Sequence, residues 1–337
     1  MDPMAPFELL RPRSLAEATA LLAATPGARP LAGGTDLVPN LRHGLGTPPA
    51  LVDLSGIAEM NTLHVAAGGV TLGAGVTLAG VAASVELGRA LPALVAAALA
   101  VAGPAHRTAA TVGGNLCVDT RCVFFNQSGW WRRANDHCLK HGGDVCHVAP
   151  QGRRCHAAFS GDLAPVLLVL GADVLIAGGA GVRRVPLAAL YADDGAAHLT
   201  LQSGEIVCAV HVPQQPDAAP SGYRKARIRG AIDFPLAGVA ARIIVHDCRM
   251  TELRVALTGT NVRPFLLDGV DVLCGRPIDD EFLGALAKLV SRQAGPMRTT
   301  AMPSNYRRQV AAALAKRLVR ELATGNACHG IATASPP

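Results

Sequence analysis

Four cysteines lie close together in one polar stretch of the chain. Cys122, Cys138, Cys146 and Cys155 are separated by fifteen, seven and eight residues. Thiolates are preferred ligands of iron–sulfur clusters and of zinc. The spacing lacks the C-x-x-C pairs of structural zinc sites and the C-x₄-C-x₂-C run of plant-type [2Fe–2S] proteins. The residues alone therefore leave three interpretations open: an iron–sulfur cluster, a zinc site, and thiols without a metal.

Basic and aromatic residues accompany these cysteines. Positive side chains favour the thiolate form and offset the negative charge of a cluster; the stretch contains Arg132, Arg133, Lys140, Arg153 and Arg154. Trp130 and Trp131 supply the aromatic area that an irregular loop needs to stay ordered, so we expect them to pack the stretch onto its domain. Cys117 is expected to be a small buried residue, and the other cysteines (Cys208, Cys248, Cys274 and Cys328) to be ordinary thiols.

Two glycine segments have the composition of anion-binding loops, residues 31–36 (LAGGTD) and 111–116 (TVGGNL). Adjacent glycines let successive backbone N–H groups point into one concavity, because no Cβ blocks an anion there. Thr35, Thr111 and Asn115 add polar groups. Ordinary turns are the alternative, since three further Gly-Gly pairs occur. The chain has no G-x-G-x-x-G or P-loop motif, which disfavours those two classes of nucleotide site.

The elements that must position these residues follow an α+β pattern. Ser14 and Glu17 form a capping box that begins a helix over 15–24, and residues 1–55 alternate strand and helix. A Gly-Gly turn at 68–69 predicts a hairpin. Beyond a Pro-rich boundary at 213–220, antiparallel strands turn near Asp247. Two amphipathic helices follow, the second capped by Ser304 or Asn305.

Composition narrows the class of protein. The chain has 337 residues, half of them apolar, which is enough for two or three domains. Its nine cysteines are an odd number, and no signal-like segment opens the chain, so a reducing, cytoplasmic location is expected. The net charge of +6 comes from scattered arginines, which argues against nucleic-acid binding. The longest apolar run is Ala-rich and flanked by prolines, so it predicts a buried helix and no membrane span.

Three segments in fixed order carry a family resemblance. PLAGGTDLVP, TVGGNL and GDLAPVLLVLGA resemble the FAD-binding subunits of the xanthine oxidase family of molybdenum hydroxylases, and YRKARIRGAIDFPLAGVAARI resembles the start of their C-terminal domain. The resemblance implies FAD with its pyrophosphate between the two glycine loops. The implied contacts are Leu31, Ala32, Gly33, Gly34, Thr35, Asp36, Thr111, Val112, Gly113, Gly114 and Asn115. It also implies Asp162 near the flavin. For Lys225 a flavin contact and a solvated strand lysine are equal alternatives.

The cysteine stretch is an insertion of about forty residues relative to most of that family. It resembles the insertion in the β subunits of 4-hydroxybenzoyl-CoA reductases, where four cysteines bind a [4Fe–4S] cluster. The resemblance therefore implies that Cys122, Cys138, Cys146 and Cys155 are the cluster ligands. No catalytic residue is implied in this chain.

The same resemblance implies the fold and the assembly. Residues 1–55 and 56–215 form a two-part FAD-binding domain, with the insertion at about 117–159. Residues 220–325 form a C-terminal domain with an antiparallel sheet and C-terminal helices, and 326–337 form a tail. The implied partners are a molybdopterin-binding large subunit, a [2Fe–2S] small subunit and ferredoxin, in a dimer of heterotrimers.

The implied reaction is reductive dehydroxylation of 4-hydroxybenzoyl-CoA to benzoyl-CoA, a step of aromatic degradation that this subunit does not complete alone. Three alternatives stay open. They are the flavin subunit of a related aromatic hydroxylase or dehydrogenase, a self-contained flavin oxidoreductase, and a zinc-stapled binding module.

Overall fold

The computed structural model describes residues 4–217 and 219–325, and its first unit is a small parallel sheet with strand order β1-β3-β2. The predicted alternation of strand and helix is confirmed. Its elements are β1 (Glu8–Leu10), α1 (Leu15–Ala24), β2 (Arg29–Leu31), α2 (Leu37–Arg42) and β3 (Ala50–Asp53). The Ser14 side chain accepts a hydrogen bond from the Glu17 N–H at 3.2 Å. The Glu17 carboxylate accepts from the Arg13 N–H, so the cap is closed one residue earlier than predicted.

The second unit is a five-stranded antiparallel sheet with helices packed against it. Its strand order is β4-β5-β8-β6-β7. The strands are β4 (Leu63–Ala66), β5 (Gly69–Gly73), β6 (Asp173–Gly178), β7 (Gly181–Pro186) and β8 (Ile206–Pro213). The helices are α3 (Leu78–Ala83), α4 (Val85–Ala90), α5 (Pro92–Ala100), α6 (Pro104–Arg107), α7 (Val112–Leu116), α8 (Gly129–Ala134) and α9 (Leu163–Val169). Every residue of α9 is buried, so this helix is the centre of the core.

The insertion is mostly irregular, with α8 as its α-helix, and it is closed at its base by a two-residue bridge. The Arg121 N–H donates to the Ala158 carbonyl at 2.8 Å, and the Ala158 N–H donates back to the Arg121 carbonyl at 2.9 Å. This pairing brings the two ends of a long loop together, so residues far apart in sequence can share one site.

Arg132, and not Trp130, fixes the insertion to the first unit. Trp130 is 66% exposed, so the expectation that it packs the loop down is wrong. Arg132 is 2% exposed, and its guanidinium donates to the carbonyl oxygens of His43 at 2.8 Å and Gly44 at 3.1 Å. An irregular loop leaves backbone carbonyls unpaired, and the guanidinium's planar fork of donors satisfies several of them at once.

The C-terminal unit is a four-stranded antiparallel sheet with strand order β12-β11-β10-β9, covered by two helices. The elements are β9 (Ser221–Ala226), β10 (Ala237–His246), β11 (Arg249–Thr258), β12 (Phe265–Leu266), α10 (Asp280–Gln293) and α11 (Ser304–Thr324). The predicted turn is confirmed, since Asp247 and Cys248 have φ of 49° and 57°. The cap prediction for α11 is wrong, because Pro303 occupies the cap position and no side chain caps the helix.

In the described residues, no helix combines the length and the apolar character needed to cross a membrane. The tail at 326–337, including Cys328, lies outside the described residues.

Candidate functional site

The two glycine loops lie against each other because glycine permits a very close approach. A Cβ at Gly33 would lie 1.8 Å from the backbone oxygen of Ala109, which lies two positions before the second loop. A Cβ at Gly114 would lie 3.9 Å from the Cβ of Ala32 in the first loop. The sequence predicted each loop, and the fold brings them together.

The first loop offers backbone donors to an anion. Gly34 has φ of +68°, a left-handed conformation that glycine adopts without strain. The N–H groups of Gly33, Gly34 and Thr35 have no acceptor among residues 4–217 and 219–325. Three successive donors in a turn of this kind form a concavity that binds phosphate.

The second loop uses its donors internally, which differs from the prediction. Thr111 caps α7, and its hydroxyl accepts from the Gly114 N–H at 3.0 Å. The Gly113 N–H donates to the Ala74 carbonyl at 2.8 Å. The Asn115 side chain accepts from the Leu163 N–H at 3.0 Å, so it joins this loop to α9. The second loop therefore forms part of the surface of the site and begins α7. The first loop supplies the backbone N–H groups that are free to bind an anion.

A cavity of about 980 Å³ opens between the loops and the C-terminal unit. Its volume lies at the upper end of the range for small-molecule and cofactor sites. Ten of the predicted flavin contacts line it: Ala32, Gly33, Gly34, Thr35, Asp36, Thr111, Gly113, Gly114, Asn115 and Asp162. Leu31, Val112 and Lys225 are not among the lining residues. The C-terminal unit adds apolar side chains that the sequence reasoning missed, including Ile228 and Phe234.

Lys225 lies behind the cavity wall as the partner of Asp162. Its ammonium lies 2.9 Å from the Asp162 carboxylate, and the two side chains are only 5% and 4% exposed. The Tyr223 hydroxyl donates to the same carboxylate at 2.6 Å. Burial raises the pKa of Asp162, while Lys225 and Tyr223 act against that rise by stabilising the ionised form. Lys225 is therefore neither solvated nor a cavity residue, and it holds Asp162 in place.

This pair supports a stability prediction. Asp162→Asn leaves the Lys225 ammonium buried without a counter-charge, and removing one partner of a buried pair costs about 3–5 kcal/mol of unfolding free energy. Denaturant unfolding followed by circular dichroism measures this loss. The double variant Asp162→Asn with Lys225→Met should recover most of it, because no unpaired charge is left. A loss below about 1 kcal/mol in the single variant would contradict the assignment.

The four cysteines of the insertion line one small cavity. Cys122, Cys138, Cys146 and Cys155 all face it, and each is only 5–7% exposed. Burial raises the pKa of the Cys122 thiol, and it raises the pKa of the Cys155 thiol to about 12. The Ala157 N–H donates to the Cys155 sulfur at 3.4 Å. Within residues 4–217 and 219–325, no three or more Cys, His, Asp or Glu side chains form a ready site for a single metal ion.

The two cavities share a wall. Cys122, near the start of the insertion, lines both of them. The neighbouring Arg121 points into the large cavity, where it pairs with Asp36 and donates to the Asn40 side chain at 2.9 Å. Its guanidinium also lies 4.6 Å from the centre of the Phe234 ring. The sequence analysis did not single out Arg121. The one indication in the sequence was that Arg121 directly precedes Cys122, a candidate ligand.

The remaining cysteines and the histidines of the insertion occupy separate places. Cys117 is half-buried and lines the large cavity, next to the end of α7. The His137 ring stacks on the His141 ring at 5.0 Å, and His147 lines the small cavity. Cys208 is buried in β8, where its thiol donates to the Leu175 carbonyl. Cys248 and Cys274 lie outside both cavities.

Known families match almost the whole described chain. Residues 5–215 match the family described as FAD binding domain in molybdopterin dehydrogenase, and residues 221–322 match the CO dehydrogenase flavoprotein C-terminal domain. The chain therefore belongs to the family of FAD-binding subunits of molybdenum hydroxylases, which are oxidoreductases. The predicted fold class is confirmed: a two-part FAD-binding fold of mixed helix and sheet, followed by an antiparallel sheet with helices.

Several relatives are similar over nearly their full length. The chain is 33% identical over 277 residues to the aldehyde oxidoreductase FAD-binding subunit of Escherichia coli (strain K12), covering 80% of this chain and 86% of the relative. It is 27% identical over 315 residues to the carbon monoxide dehydrogenase medium chain of Afipia carboxidovorans, covering 93% and 95%. Among solved structures, a cyanide-inactivated Cu,Mo-CO dehydrogenase gives a TM-score of 0.79 at 26% identity, covering 97% of this chain and 100% of that one.

Proposed function

We propose that this chain is an electron-transfer subunit that carries FAD in the large cavity and a [4Fe–4S] cluster in the small one. The observation that carries the proposal is the wall between the cavities, where Cys122 faces both. FAD exchanges one or two electrons and an iron–sulfur cluster exchanges one, so the pair would link one-electron and two-electron chemistry.

In the large cavity, the first glycine loop would hold the FAD pyrophosphate through its unpaired amides. Asp36 and Arg121 form an ion pair beside that loop. Asp162 would contact the flavin from the α9 end, held by Lys225 and Tyr223. Ile228 and Phe234 would exclude water from the cavity on the side of the C-terminal unit. This assignment keeps all the predicted flavin contacts except Leu31, Val112 and Lys225, which do not line the cavity.

In the small cavity, Cys122, Cys138, Cys146 and Cys155 would be the four ligands. Four sulfurs and no carboxylate or carbonyl ligand suit soft metals. The Ala157 N–H donates a hydrogen bond to the Cys155 sulfur. Hydrogen bonds to the ligand sulfurs help to set the reduction potential of an iron–sulfur cluster. The resemblance of the insertion to that of 4-hydroxybenzoyl-CoA reductase β subunits supports a [4Fe–4S] cluster over zinc.

The proposed complex contains a molybdopterin-binding large subunit and a [2Fe–2S] small subunit, in a dimer of heterotrimers. We propose ferredoxin as the electron donor and 4-hydroxybenzoyl-CoA as the substrate, reduced to benzoyl-CoA in the large subunit. A second candidate is an oxidative dehydrogenase subunit. The 33% identity to an aldehyde oxidoreductase FAD-binding subunit favours it.

Cofactor analysis of the anaerobically purified complex tests the proposal. We expect about four irons and about four acid-labile sulfides per FAD in this chain, in addition to those of the small subunit. Zinc in place of iron would contradict the cluster assignment. Oxidation of the dithionite-reduced complex by 4-hydroxybenzoyl-CoA would support the reductive role, whereas reduction of the oxidised complex by an aromatic aldehyde would select the second candidate.

A further inference from the structure

Lys140 is a buried cation inside the insertion. Its side chain is only 6% exposed. The ammonium donates to the Asp119 carboxylate and to the Thr120 hydroxyl, both at 2.6 Å. It also lies 4.4 Å from the centre of the Phe125 ring, whose face attracts a cation. These contacts fix the ammonium in one position.

That position is at the small cavity. Lys140 lines it together with the four cysteines, and it is the only lysine or arginine among the described residues that line it. Arg132 is buried nearby, but it donates to backbone carbonyls and does not line this cavity. A negative charge in the small cavity would therefore meet this ammonium first.

Asp119 extends the arrangement to the large cavity. It lines that cavity, and its N–H donates to the Asp36 carboxylate at 3.3 Å. The Asp119–Lys140 ion pair thus joins a residue that lines the large cavity to a residue that lines the small one. In a buried site the interaction of such charges with a cofactor is screened less than at the surface.

We infer that Lys140 sets the reduction potential of the centre held by the four cysteines, and that Asp119 holds Lys140 in position and moderates its effect. The inference rests on the proposed cluster. Reduction adds one electron to the centre, and a fixed positive charge beside it stabilises the reduced form. Lys140 is then a cofactor-tuning residue, which differs from a role confined to holding the insertion together.

The test is a redox titration of the purified complex with mediator dyes, followed by electron paramagnetic resonance of the reduced cluster. In Lys140→Met we expect the equilibrium between cluster and dye to shift at least about tenfold towards the oxidised cluster, which is 59 mV for one electron. Lys140→Arg, which keeps the charge, should shift it less. Asp119→Asn should shift it the opposite way. The matched control is Arg153→Met, which removes an exposed charge from the same insertion and should leave the potential unchanged.

The results distinguish a failure of the proposed function from a failure of the inference about Lys140. Absence of iron and sulfide from the wild-type chain overturns the proposed function itself. A normal iron content with an unchanged potential in Lys140→Met overturns the inference and leaves the proposed function standing. If Lys140→Met is isolated without iron, Asp119→Asn decides: a raised potential supports the inference, and an unchanged potential assigns Lys140 a structural role alone.

Discussion

Replacing Cys146 by serine should remove the cluster and leave FAD bound. Serine is close in size to cysteine, but its hydroxyl is a poor ligand for a soft metal. Structural zinc sites with four ligands are worth about 10–16 kcal/mol, and on that scale one ligand of four contributes roughly 3 kcal/mol, or about 100-fold in affinity. Cys146 is 5% exposed and lines the small cavity but not the large one. Iron and sulfide should therefore fall at least about tenfold per flavin after purification.

The control for this variant is Cys208→Ser. Cys208 is as buried as Cys146, at 5% exposure, but it lies in β8 outside the insertion. Iron, sulfide and flavin should all stay at the wild-type ratio in that variant. If Cys146→Ser kept the wild-type iron content, the four cysteines would not be the ligand set. If it lost iron and flavin together, the two cavities would not be independent sites.

Replacing Gly33 by alanine should have the opposite effect, loss of FAD with the iron retained. The added Cβ would lie 1.8 Å from the Ala109 oxygen and 2.4 Å from the Ala109 carbonyl carbon. Both atoms are backbone, so the clash cannot be relieved by a side-chain rotation and the two loops must separate. Overpacking of this kind costs about 1–3 kcal/mol and occasionally more. We expect FAD affinity to fall by about 100-fold, which corresponds to roughly 3 kcal/mol.

Fluorescence titration of the apoprotein with FAD measures this effect. Gly179→Ala is the matched control, because Gly179 also belongs to a Gly-Gly pair and its Cβ would meet nothing within 4 Å. That variant should bind FAD as the wild type does. An affinity in Gly33→Ala within about threefold of the wild type would show that the loop contact does not shape the site. Iron analysis of the same sample shows whether the insertion is intact.

Much of the fold could be predicted from local sequence. Ser14 and Glu17 act within one helical turn, and the Gly-Gly pair at 68–69 makes its hairpin from adjacent residues. The strands of the C-terminal unit were visible as alternation, which needs only the side-chain period of a strand. Such features depend on neighbours a few positions away, so a single sequence is sufficient to find them.

The site could be predicted only in part. The four cysteines and the first glycine loop were visible from residue type. Arg132 and Lys140 were also visible as basic residues of the cysteine stretch, but their contacts were not, since Arg132 donates to residues 43 and 44, and Lys140 donates to residues 119 and 120. Trp130 was expected to anchor the insertion, but a buried guanidinium does so. The partner of a long cationic side chain depends on how the loop closes, and no local pattern records that closure.

The sequence by itself determined where the glycine loops, the cysteines and the helix starts lie along the chain, and the order of these motifs indicated the family. The tertiary structure decided which of those groups face the same space. It placed Lys225 against Asp162, and it put Cys122 between two cavities. It also paired the N–H groups of Gly113 and Gly114 with acceptors inside the protein. The physical reason is that a donor or a charge acts through distance and burial, and both are set by packing between segments remote in sequence.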